Sequence, residues 1–135
     1  MYLTARGHDS SDFLKAHGVD PLIFRDPDAR LPHAVAVSLW LAAGQLTNDL
    51  NLGLHVAAGI RPGAYGALDY AARKCATLRE GLRRLSRYHR FLHDVAETRL
   101  RVEGDRAILS HHLPVPGGPP RQVSECVVAG WLLAS

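Results

Sequence analysis

The sequence predicts an α+β domain: a mostly helical amino-terminal part, then a β-hairpin, then a carboxy-terminal helix. Three observations carry this. Apolar residues recur at helical spacing up to about residue 93, the period changes to alternation from Val95, and a Pro/Gly-rich connector, PVPGGPP, precedes a last helical stretch. A length of 135 residues fits one domain, or a fragment of one, spanning 1–135, with enough chain to bury a core.

Taken in order, the first ten residues are polar and loose. Ser10 or Ser11 is expected to cap a short helix through Ala16, closed by His17-Gly18 with the glycine left-handed. Val19-Asp20-Pro21 restarts the chain, Leu22, Ile23 and Phe24 form a brief apolar turn, and Asp26-Pro27-Asp28 is turn chemistry. Pro32 suits the first position of a helix to Leu46, with Val35, Leu39, Ala42, Ala43 and Leu46 on one face and Trp40 packing beside it. Thr47-Asn48-Asp49 stops that helix. Asn48 or Asp49 then caps a second one, containing Leu50, Leu52, Leu54, Val56 and Ala57 and ending near Gly59.

A loop, RPGAYG, leads to a helix from Leu68 to Cys75 and another from Thr77 to about His93. Thr77 and Glu80 have the spacing of a capping box. Leu78, Leu82 and Leu85 line one side of the helix, with Arg79, Arg83, Arg87 and Arg90 beside them. Val95–Val102 and Arg106–Leu113 alternate about Glu103-Gly104-Asp105 as a hairpin. The last helix starts near Arg121 and carries Val123, Val127, Val128, Trp131 and Leu132. A lone hairpin is a marginal sheet, so the sheet reads as incomplete through truncation near Ser135.

Composition narrows the function classes. Hydrophobic residues at 47% and charged ones at 21% argue against disorder. The amino terminus has no apolar signal core, and the longest apolar run, Ala34 to Ala43, falls short of the ~20 residues of a membrane span. The expectation is a soluble, cytoplasmic chain without membrane contact, its Cys75 and Cys126 buried free thiols. A net charge of +3 permits an acidic partner without requiring one, and a GC-rich genome would by itself give the Arg and Ala bias, so the bias does not decide the partner.

No catalytic signature emerges, and no enzyme, metal or cofactor is expected. His89 and His93 stand four apart on a helix, but Arg90 holds the place where an HExxH zinc motif needs Glu. Alternation sends His111 and His112 to opposite faces of the hairpin. The run Arg73, Lys74, Arg79, Arg83, Arg84, Arg87 and Arg90 has the charge to grip phosphates, yet no nucleic-acid-binding motif accompanies it. A solvated helix face is the preferred reading. GIRPGAYG matches neither GxGxxG nor GxxxxGK[ST], and no serine occupies a GxSxG elbow.

The order of GVDPLIFRDPDARLP, SLWLAAGQLTNDLNLGL and RPGAYGALDYAARKCATLREGLRRLSRYHRFLHD resembles the amino-terminal, arabinose-binding-type domain of AraC/XylS-like transcriptional regulators, over roughly residues 12 to 133. Gly81 stands where that family typically has Ala, at a helix cost of about 1 kcal/mol, and Cys75-Ala76 replaces its small polar residues. The resemblance implies the effector-sensing or dimerising part of a bacterial regulator. Its partners would be an unidentified small molecule and a second copy of the chain. DNA would be met only through a carboxy-terminal pair of helix-turn-helix units absent from these 135 residues. The alternative is a ligand-free dimerisation module. Tyr65, Tyr70, Arg73, Tyr88 and His89 are the candidate ligand-binding residues, combining aromatic surface and hydrogen-bonding capacity near the signature block.

Overall fold

The computed structural model describes residues 2–26, 29–61, 63–64, 66, 70, 74–88 and 96–134. Helices α1 (Tyr2–Ala5) and α2 (Ser10–Ala16) lead into a 3-10 turn, Pro21–Arg25. Then come α3 (His33–Thr47), α4 (Leu52–Ala58), α5 (Leu78–Tyr88), strands β1 (Glu97–Glu103) and β2 (Arg106–His112), and α6 (Arg121–Ala134). The α+β reading, helices before a hairpin and a last helix, is borne out. The expected helix Leu68–Cys75 lies largely outside the described residues, as do residues 89–95 at the end of the arginine-rich helix.

Local chemistry sets the element ends. α2 is capped by Asp9, one residue ahead of the predicted serines. Its carboxylate accepts from the amides of Ser11 and Asp12 at 2.7 and 2.9 Å, satisfying two orphan donors where a serine satisfies one. Those two bonds hold the Asp9 carboxyl below its ordinary range. At the other end Gly18 is left-handed (φ +72°), as expected. Its amide reaches the Lys15 carbonyl while Val19's reaches that of Leu14, a Schellman closure. Pro32 takes the cap position of α3 rather than the first helical one, and Asn48 at φ +48° ends the helix. Leu52 and Ala57 of α4 are buried whereas Leu50 and Leu54 are exposed, so only part of the expected apolar set faces inward.

β1 and β2 pair antiparallel from Glu97↔His112 to Glu103↔Arg106, around a two-residue turn. Gly104 (φ +63°) fills its first position, the place a type II′ hairpin turn reserves for glycine. Leu82 and Leu85 of α5 and Trp131 of α6 form the buried cluster, with Leu100, Leu109 and Val127 packed against it. Leu78, expected on the same side, is exposed. Alternation turns His111 inward, its ring edge-on to Trp131 at 5.3 Å, and leaves His112 exposed. Beneath that contact the Ser86 hydroxyl donates to the Thr98 carbonyl at 2.7 Å, and Thr98 Oγ1 lies 3.1 Å from His111 Nδ1, so this inward-facing polar row is hydrogen-bonded.

α4 packs on α6 at very close range, because Gly53 offers no side chain. A Cβ there would lie 2.9 Å from the carbonyl carbon of Gln122, inside van der Waals contact. α4 thereby presents one side to α6 and another to the amino-terminal helices.

Candidate functional site

The described residues enclose a groove of about 320 Å³ among α1, α2, the 3-10 turn, α3 and α4. Its longest wall is a stripe on α3, Ala36, Leu39, Trp40 and Ala43, at the i, i+3, i+4, i+7 spacing that aligns side chains on one helix face. Ser10, Phe13 and Leu14 form the α2 wall, and Leu52 and Val56 the α4 wall. Tyr2, Leu3, Phe24 and Leu31 complete the rim. The volume falls within the ~300–1,000 Å³ of small-molecule sites.

Two contacts brace the walls. The Phe13 ring lies against the His17 ring, centroids 4.6 Å apart, and His17 Nδ1 sits 2.7 Å from the Phe13 carbonyl oxygen. Ser10 and Thr4 hydroxyls share a hydrogen bond at 2.9 Å, tying α2 to α1.

At the Tyr2 end lies a polar cluster organised by Asp49, whose side chain is only 8% exposed. Its Oδ2 accepts from the Tyr2 hydroxyl and from an Arg6 guanidinium nitrogen at 3.2 Å, and it meets His55 Nδ1 at 2.6 Å. Its Oδ1 accepts from the Asn51 amide at 2.9 Å. The bonds from Tyr2 and then His55 hold the Asp49 carboxyl down at about 2. Burial, and then the bond to Asp49, raises the Tyr2 phenol above its ordinary value. Arg6 lies over the Tyr2 ring at 5.3 Å, and His55 stacks with it, centroids 6.4 Å apart. By sequence Asp49 is a possible cap for α4. Instead it closes the turn before that helix and anchors α1 across the chain.

Of the sequence-derived candidates, Tyr70 and Tyr88 are 59% and 41% exposed and do not line the groove. Tyr65, Arg73 and His89 lie outside the described residues. The residues that sequence reasoning passed over are Tyr2, Phe13 and Asp49. Trp40, which the sequence predicts to pack beside the α3 face, lines the groove wall. The α3 stripe was the available signal, but apolar helical spacing alone does not distinguish a core face from a pocket face.

Among the described residues, no group of three or more His, Cys, Asp or Glu side chains is arranged to hold a metal ion. Nor is any helix among them long and apolar enough to cross a membrane. A family model described as the arabinose-binding domain of AraC transcription regulators, amino-terminal, matches residues 7–134. No curated protein matches the chain.

Proposed function

The chain belongs to the arabinose-binding-type amino-terminal domains of AraC transcription regulators, a regulatory family, and on that premise we propose that it senses a small-molecule effector in the α1–α4 groove. The observation that carries this reading is the groove itself: a concave apolar site with a wired polar cluster at one end. An effector seated there touches five elements at once. It therefore favours arrangements in which those elements stay together, a population shift rather than a new chemistry. The shift acts on a helix-turn-helix half joined to this domain, which makes the DNA contact in a bacterial cytoplasm. This places the effector away from Tyr70 and Tyr88, whose exposure suits a surface role.

Thermal unfolding of the chain against a metabolite library tests the reading. A ligand at a hundred times its Kd adds about 2.7 kcal/mol, which raises the Tm of a domain this size by roughly 10 °C. The response should disappear in Ala43→Phe, which fills the groove. A library without hits, or hits indifferent to that substitution, would sink the groove as sensor.

Self-association is a second reading, favoured by α6, where Val128, Leu132 and Leu133 are exposed, the last two at 59% and 65%. Exposed apolar side chains on one helix suit a homodimer interface. Light scattering behind gel filtration should show a dimer that Leu132→Asp dissociates. A strict monomer at high concentration would refute it.

A further inference from the structure

The family's description names a sugar, but the groove has the chemistry of a different ligand class. We propose that it takes a compact apolar molecule of about ten heavy atoms and rejects free sugars, an assignment that rests on the sensing reading above. The size follows from volume: about 320 Å³ is twice the ~150 Å³ cavity that holds a benzene ring.

The class follows from the walls. A free sugar carries a hydroxyl on almost every carbon, and each one moved out of water needs a partner in the site. Among the described residues, side-chain hydroxyls reach the groove only from Tyr2 and Ser10, and each already makes one hydrogen bond, Tyr2 to Asp49 and Ser10 with Thr4 at 2.9 Å. The Asp49 oxygens are taken up in turn by Tyr2, Arg6, His55 and the Asn51 amide. Trp40 contributes an indole N–H, a donor with no acceptor capacity. The remaining lining is aliphatic or aromatic carbon, and α3, its longest wall, has its central amides committed to the helix ladder. Such a surface gains by shedding water onto an apolar body and offers a polyol almost nothing in exchange.

The test is an NMR titration of the 15N-labelled chain with two probes, 1-octanol and L-arabinose. The expected result is saturable octanol shifts at Ala36, Leu39, Trp40 and Val56, with arabinose leaving the spectrum unchanged. Ala43→Phe should weaken octanol roughly tenfold or more. Ala36→Leu, a milder filling of the same stripe, should weaken it less and guards against misfolding of the first variant. Octanol shifts that do not saturate, or that both variants leave unchanged, overturn the proposal. Saturable arabinose shifts at the same residues overturn the ligand class and leave the sensing role standing. Silence from both probes overturns the two together.

Discussion

Trp40 and Trp131 report on two regions built to opposite ends. Trp131 is 2% exposed, wedged among Leu82, Leu85, Leu100, Leu109 and Val127, with His111 against its ring. Trp40 lies half-buried on α3, a helix of fifteen residues none of which is fully buried, and faces an opening. Both regions are rich in apolar side chains. In the carboxy-terminal one they meet each other and close; in the amino-terminal one they line a space. The difference separates the part of the chain that supplies stability from the part left able to respond to a ligand.

The largest expected effect tests that division directly. Trp131→Ala should cost about 3–5 kcal/mol, a large share of the ~5–15 kcal/mol that holds a domain together. Trp40→Ala should cost about 1 kcal/mol or less. Urea denaturation midpoints measure both, and equal losses would erase the distinction.

Next come two glycines that face the same residue. Gly53→Ala drives a Cβ into the Gln122 backbone and should destabilise by about 1–3 kcal/mol. Gly44→Ala meets Gln122 Nε2 at 3.6 Å and Leu52 Cδ2 at 3.9 Å, both ordinary contacts, and should stabilise by about 0.4–1 kcal/mol through helix propensity. A matching sign for the pair would show that the α4–α6 contact is looser than described.

A smaller effect concerns the Asp49 cluster. Its carboxyl titrates lower in the folded chain, at about 2, than its ordinary 3.8, so its contribution is complete above 3.8 and is lost as pH falls through about 2. The advantage of the native chain over Asp49→Asn should therefore be constant near neutrality and vanish toward pH 2. A difference that does not change with pH would detach the carboxylate from the anchoring of α1. Smallest is a labelling contrast. Burial pushes the Cys126 thiol up to about 11, so at pH 8 it should react with a disulfide reagent only on unfolding, after the less buried Cys75.

What was legible in the sequence was local. The hairpin followed from alternation and a Gly-Asp turn, both written within sixteen residues of each other. Thr77 does accept from the Glu80 amide, at 3.2 Å, although the Glu80 carboxylate turns to Arg84 at 3.1 Å, so only one arm of the expected capping box is supported by a described bond. The groove was not legible, because its walls come from separate elements and no periodicity states the distance between helices. Asp49 shows the same limit: its turn partner Asn51 is two residues away, whereas Tyr2 and Arg6 stand 47 and 43 residues off.

The missing side chain at Gly53 makes α4 a party wall. Leu52 and Val56 face the groove, while the backbone between them rests on that of Gln122, at the start of the helix that carries Trp131. With no intervening side chain to flex, there is no cushion between the two rooms. Whatever pushes on Leu52 from one side meets the frame of the other within a single helix diameter.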